Sequence, residues 1–144
     1  MVVDYASLAE LRYQIRRFLR AREVAARAAG IEPQQYMLLL QVKGFRGRWP
    51  ATIGALAERM QIQHHAVVQL VDRLEGRGMV RRRRGGADLR EVVVELRPSG
   101  ERALRRLALL SIAELRTEGP GLVASLKRLI ARSNGNHARR RKCS

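Results

Sequence analysis

The sequence predicts a mainly helical chain that carries one small β-hairpin. Three observations carry that prediction. Apolar residues recur at three- and four-residue spacing over most of the chain. The period drops to two in a single stretch, around residues 79–96. Glycine and proline fall at the joints, as in Gly30, Pro33, Gly44, Pro50, Gly78, Gly85-Gly86 and Pro98. With 144 residues, 46% of them apolar, the chain suits one domain with a real core and is not compositionally disordered.

The elements follow in order. From Ser7 to Ala29, Leu8, Leu11, Ile15, Phe18 and Leu19 form an apolar stripe; Ser7 and Glu10 have capping-box spacing, and Gly30 ends the helix. A second helix, about Pro33 to Val42, is apolar nearly all round through Tyr36–Leu40, so it is expected to be buried on several sides; Gly44 closes it. Thr52 caps a third helix that reaches Met60. A tight connection, Gln61-Ile62-Gln63, leads to a fourth helix from His64 to Glu75, with Val67, Leu70, Val71 and Leu74 inward and His65, Gln69, Asp72 and Arg73 outward. Met79–Arg84 and Arg90–Leu96 alternate as two strands about a Gly85-Gly86-Ala87-Asp88 turn. After Pro98 a long helix runs to about Glu118, is broken by Gly119-Pro120-Gly121, and is followed by a last helix to about Arg132; residues 134–144 are expected to be a disordered basic tail.

Charge narrows the partner. The chain has 29 Lys and Arg against 13 Asp and Glu, a formal net charge of +16, and most of the cations are Arg. Such an excess favours a polyanion, and the guanidinium fork matches phosphate oxygens and guanine edges. Two short helices on a tight turn followed by an arginine-dense hairpin add up to a winged helix-turn-helix over residues 31–97. Helices at 7–30 and 98–132 flank it in a chain that forms one domain over 1–144. In that arrangement the second short helix enters the major groove and its N-terminal residues meet base edges. The expected DNA-contacting residues are Gln63, His64, His65, Gln69 and Arg73 on that helix and Arg82 and Arg84 on the hairpin. Alternation lets only half of Arg81–Arg84 share a face. Asp72 is expected to be structural, holding Arg73 or Arg77.

Several stretches resemble the MarR (multiple antibiotic resistance) regulator family: Ala55-Leu56-Ala57-Glu58-Arg59-Met60, then Leu70-Val71-Asp72-Arg73-Leu74-Glu75-Gly76-Arg77-Gly78-Met79-Val80, then Asp88-Leu89-Arg90, then Leu96-Arg97-Pro98-Ser99-Gly100-Glu101. They come in the family's order and spacing. The resemblance spans about residues 7–132 and rests mainly on the Leu70–Glu75 stretch with Asp88 and Arg90 downstream. It implies a dimeric winged-helix repressor or activator whose terminal helices pair. It also implies that Arg90 enters the minor groove, oriented by Asp88, and that release is controlled, as often in the family, by a small aromatic or phenolic effector or by an oxidant. This sequence departs from the pattern at Arg97, where the family has Thr, so the cap of the long helix is either weaker or rebuilt with Ser99. The first helix also lacks the cysteine of the oxidant-sensing members.

Other readings are weaker. Tyr13, Arg16, Arg17, Tyr36 and Trp49 have the chemistry to line an aromatic-acid pocket, although such residues more often belong to core or interface. His64 and His65 are adjacent and diverge by about 100° on a helix, which suits no metal. No cofactor and no enzyme activity are expected, since no nucleophile–base pair, metal cluster or phosphate-cradling glycine loop is present. Cys143 lacks an intrachain disulfide partner. No apolar run has the length of a membrane span and no signal peptide opens the chain, so no membrane association and a cytoplasmic location are expected. The rival class is a non-specific nucleic-acid-binding protein, architectural or RNA-binding. Against RNA, aromatics are only 4% of the chain and do not interleave with the basic runs.

Overall fold

The computed structural model describes residues 2–140, with side chains to residue 131. It contains helices α1 (Tyr5–Ala28), α2 (Pro33–Gly44), α3 (Ile53–Met60) and α4 (His64–Gly76), strands β1 (Val80–Arg84) and β2 (Val92–Leu96), and helix α5 (Pro98–Arg140). Two compact units divide the chain: Glu23–Leu109 forms one, and the residues up to Arg22 and from Leu110 form the other. Among the described residues no helix is long and apolar enough to cross a membrane.

The Glu23–Leu109 unit holds a contiguous core built from every element in it. Leu38, Leu39, Leu56, Val67, Val71 and Leu74 are fully buried, with Ala26, Ile31, Val80, Val94, Leu104 and Leu107 around them. Burying side chains of this kind is worth roughly 1.5–3 kcal/mol each, which makes this cluster the principal stabilising term. As expected, α2 is buried on several sides, through Gln35, Tyr36, Leu38 and Leu39.

Local chemistry fixes the ends. The α1 cap is Asp4 rather than Ser7: the carboxylate accepts from the Ser7 N–H at 3.1 Å, and the helix starts two residues earlier than expected. An acidic cap both satisfies an orphan N–H and meets the positive end of the helix dipole. Thr52 caps α3 by accepting from the Ala55 N–H at 3.1 Å. Three helices end in one motif, in which a left-handed residue and the one after it donate back into the last turn. Gly30 and Ile31 donate to Arg27 and Ala26 at the end of α1, and Gly78 and Met79 donate to Glu75 and Leu74 after α4. After α3 the left-handed position is held by Gln61, with φ of 54°.

β1 and β2 pair antiparallel with Val80 opposite Leu96 and Arg84 opposite Val92. A third segment extends this hairpin: the Val94 N–H donates to the Ala51 carbonyl at 2.9 Å, and Thr52 bridges to Val93. Val93 and Val94 are therefore both fully buried, although they point to opposite faces. The second strand begins at Val92, not at Arg90. Arg90 belongs to the turn, where its N–H donates to the Asp88 carboxylate at 2.9 Å.

The largest departure lies in α5, which runs unbroken through Gly119-Pro120-Gly121 where two helices were expected. Proline disfavours helix in the preceding residue partly through a clash with that residue's Cβ, and Gly119 has none, which removes that part of the penalty. The helix also continues to Arg140, across most of the tail expected to be disordered; residues 141–144, with Cys143, lie outside the described residues. At its start Ser99 does not cap. Its hydroxyl donates to the Gly78 carbonyl at 2.8 Å and ties α5 to the turn after α4.

In the other unit the guanidinium of Arg22 on α1 pairs with Glu114 on α5, donates to Ser111 Oγ at 3.3 Å and lies over the Phe18 ring.

Candidate nucleic-acid interface

The exposed side of α4 is a ladder of hydrogen-bonding groups. His65, Gln69 and Arg73 are four residues apart and all exposed, so they form one line along the helix. Gln63 is the N-cap residue, but its side chain makes no capping bond. With His64 beside it, this leaves three exposed polar side chains at the N-terminal end of α4.

Arg82 has a different setting from the one expected of it. Strand alternation puts it on the face of the hairpin that meets α4. There its guanidinium pairs with Asp72, donates to Glu75 Oε1 at 2.9 Å and reaches the Val68 carbonyl at 3.3 Å. Its backbone N–H donates to Glu75 Oε2 at 2.8 Å. The hydrogen bond to Asp72 is the chief cause of a raised Arg82 pKa; desolvation opposes it, and the charges of Asp72 and Glu75 reinforce it. Arg82 is thus paired with two carboxylates in place, and it fastens the hairpin to α4. Asp72 is structural, as expected, but its partner is Arg82 and not Arg73 or Arg77. Arg77 instead donates to the buried Gln35 at 3.0 Å.

Arg81 and Arg83 are also occupied. On the opposite face of the hairpin both pair with Glu95, at 3.0 and 2.7 Å. Partial burial pushes the Glu95 carboxyl up, but hydrogen bonds and charge from Arg83 and Arg81 outweigh it and hold it below its ordinary range. Among the described residues Arg84 is then the one member of the four-arginine run without an ion pair. At the tip, the Arg90 side chain is 90% exposed with its Nε 3.5 Å from Asp88. Asp88 thus orders the Arg90 backbone firmly and the side chain loosely.

Sequence reasoning missed Glu75 and Glu95. The signal was present: Asp72 and Glu75 lie three apart on α4, and Glu95 stands opposite Arg81 in the hairpin register.

The residues considered for an effector pocket are not gathered within either unit. Tyr36 is a core residue of Glu23–Leu109, and Trp49 lies against the hairpin turn of that unit. Tyr13, Arg16 and Arg17 lie on α1 in the other unit, where Arg17 stacks on Tyr13 and pairs with Glu118 at 3.8 Å. That unit has a cavity of about 170 Å³ between α1 and α5, lined by Gln14, Arg17, Phe18, Glu114, Glu118 and their neighbours. Among the described residues no group of three His, Cys, Asp or Glu side chains is placed to hold a metal.

Two helices on a tight turn, with a basic hairpin clamped to the second, are the geometry against which known proteins can be compared. Residues 29–91 match the MarR family model. Solved structures of low sequence identity share its fold over nearly their whole length. A MarR family transcription regulator aligns with a TM-score of 0.72 at 21% identity, over 97% of this chain and 93% of that one. Apo wild-type MarR from E. coli aligns with a TM-score of 0.68 at 20% identity, over 92% of this chain and 98% of that one. A mutant E. coli MarR complexed with operator DNA aligns with a TM-score of 0.66 at 20% identity, over 85% and 89%. No curated protein matches the sequence significantly.

Proposed function

We propose that this chain is a DNA-binding transcription regulator of the MarR family that grips a pseudo-palindromic operator as a homodimer and acts as a ligand-released repressor. One observation carries the reading. The exposed side of α4 presents Gln63, His64, His65, Gln69 and Arg73, while the attached hairpin holds Arg84 and, loosely paired with Asp88 and 90% exposed, Arg90. A helix of this width fits the major groove, and an extended arginine suits the negative potential of an adjacent minor groove. The fold is shared with a relative crystallised on operator DNA.

Dimerisation is supported by the terminal unit. Leu8, Ile15 and Leu19 on α1 and Leu115, Val123, Leu126 and Ile130 on α5 are each 40–53% exposed, an apolar surface that a second copy would cover. Two-fold pairing would set the reading helices about 34 Å apart, one turn of duplex. Effector control is supported by the cavity between α1 and α5, where Arg17 and Phe18 offer a cation beside a ring. A ligand that prefers a dimer with altered reader spacing lowers DNA affinity by that preference.

The test is fluorescence anisotropy on DNA from upstream of the chain's own gene against scrambled duplex, at two salt concentrations. Preference on the order of 100-fold or more for the upstream DNA supports the regulator reading. Equal affinity for both favours the rival, a non-specific nucleic-acid binder.

A further inference from the structure

We propose that the segment joining α2 to α3, Phe45–Pro50, is a second DNA-contacting arm, in which Arg46 and Arg48 grip the sugar–phosphate backbone beyond the hairpin. The proposal rests on the DNA-binding reading above and adds to it a surface that neither α4 nor the hairpin supplies.

The charge is local and uncompensated. Between Glu32 and Glu58 the sequence has no acidic residue, while Lys43, Arg46 and Arg48 all fall in that interval. Lys43 is neutralised by Glu101 at 2.7 Å. Arg46 and Arg48 are exposed, and among the described residues neither makes an ion pair. An inert surface normally intersperses both signs.

The segment is also held in place, as a recognition arm must be. Half-buried Phe45 packs on the core, and its ring closes over Gly47 so tightly that a Cβ there would lie 2.8 Å from Phe45 Cε1. Downstream, the Ala51–Val94 hydrogen bond and the Thr52–Val93 bridge lock the chain to β2. Between these anchors Trp49 meets the hairpin turn: its Cβ is 3.8 Å from where a Cβ on Gly86 would stand. Arg48 is therefore carried beside the turn that holds Asp88 and Arg90.

Arg48 is ordered as well as exposed. Its guanidinium lies over the Trp49 ring, 5.7 Å from the centroid. Stacking restrains the side chain and leaves its in-plane N–H groups available, the arrangement that suits a phosphate oxygen. A hairpin arginine in a minor groove has a phosphate strand on either side, and the Arg46–Arg48 arm lies where it meets one of them. Such contacts carry no base information, so they add affinity and salt dependence without altering sequence preference.

The test compares wild type with the double variant Arg46→Gln, Arg48→Gln by hydroxyl-radical footprinting and salt titration on a fragment of upstream DNA. Both sites are exposed, and an unchanged thermal midpoint checks that folding is intact. The expected result is loss of the outermost backbone protections with the central ones retained. The log–log salt slope should become shallower by about 0.9 per arginine per half-site, with base preference unchanged. In wild type, the emission of the single tryptophan should also change on DNA binding, less so in Arg48→Gln. An unchanged footprint and slope in the double variant, with wild type binding normally, overturns the arm and leaves the regulator reading intact. Absence of any wild-type footprint overturns the DNA-binding reading and the arm with it.

Discussion

Arg82 on β1 is bonded to Asp72 on α4, and this pair joins the hairpin to the helix proposed to read DNA. Glu75 accepts from both the backbone and the side chain of Arg82, so the strand is held at two points. Two arginines of one run, Arg82 and Arg84, therefore stand in opposite electrostatic settings although they share a face of the hairpin: among the described residues Arg82 is ion-paired and Arg84 is not.

That difference is measurable. Replacing Arg84 with Ala should make the log–log salt slope of DNA binding shallower by about 0.9 per contact, because it removes an uncompensated cation. Replacing Arg82 with Ala should leave the slope almost unchanged, because its charge is already neutralised by two carboxylates. Its cost should appear in stability instead. Urea unfolding of Asp72→Asn, Arg82→Ala and the double variant should give a coupling of about 1 kcal/mol. Equal slope changes for Arg82→Ala and Arg84→Ala would contradict the division of roles.

Arg90 and Asp88 give a second contrast. Arg90→Ala should cost on the order of 1–3 kcal/mol per site and relax preference at the bases beneath the hairpin tip. Asp88→Asn should cost less, since an amide oxygen can still accept the Arg90 N–H that Asp88 now holds at 2.9 Å. Competition anisotropy with single-base variants of the bound site reads both. An Arg90→Ala protein with unaltered affinity and selectivity would remove Arg90 from the interface.

The Glu95 carboxyl predicts an acid response. Its folded pKa lies below the ordinary value through Arg83 and Arg81, against the desolvation that raises it. A depressed folded pKa adds stability above the unfolded value and loses it as pH falls through the folded one. The hairpin should therefore hold at neutral pH and loosen in acid, once the pH has fallen below the ordinary carboxylate range. Amide exchange in β1 and β2 should rise there in wild type, and Glu95→Gln should show raised exchange already at neutral pH, with a weaker dependence on acid.

Much of the fold was legible because local and tertiary signals agree. Thr52 before an apolar run, Gly30 and Gly78 after one, and the change of period near Val80 each have a single economical reading. The misreadings share a cause: they turn on what a residue meets in space. Ser7 was outcompeted as a cap by Asp4, a stronger acceptor one turn upstream. Pro120 reads as a stop until the missing Cβ of Gly119 is considered. At the interface, the His65–Gln69–Arg73 line follows from helical spacing alone. The neutralisation of Arg81, Arg82 and Arg83 depends on carboxylates as far as fourteen residues away in sequence, and composition shows only four adjacent cations.

Gly100 should be intolerant of any side chain. A Cβ there would lie 2.2 Å from the Met79 carbonyl oxygen, a backbone atom fixed by its bond from the Arg97 N–H. Neither partner can rotate away, so Gly100→Ala must shift α5 or the turn after α4. Overpacking of this kind costs roughly 1–3 kcal/mol or more, even though alanine is the better helix former. Urea midpoints decide the sign, and a stabilised Gly100→Ala protein would show that the turn relaxes more easily than its bonds imply.

Gln61 offers the opposite change. It sits in the turn between α3 and α4 at φ of 54°, where Gly30 and Gly78 close the ends of α1 and α4. A non-glycine residue in this region carries a conformational cost of roughly 1–2 kcal/mol. The Gln61 side chain offsets part of it by donating to the Glu58 carbonyl at 2.8 Å. Gln61→Gly removes the strain and that bond together and adds chain entropy to the unfolded state. The net effect should be a stabilisation of about 0.5 kcal/mol. Gln61→Val should destabilise by more than that, because a β-branched side chain is the least suited to positive φ. Because the turn fixes how α4 is presented, DNA affinity measured alongside thermal melts separates the two consequences. Gln61→Gly should raise the melting midpoint with affinity unchanged, and a fall in affinity at raised stability would mean that the glutamine itself touches the duplex.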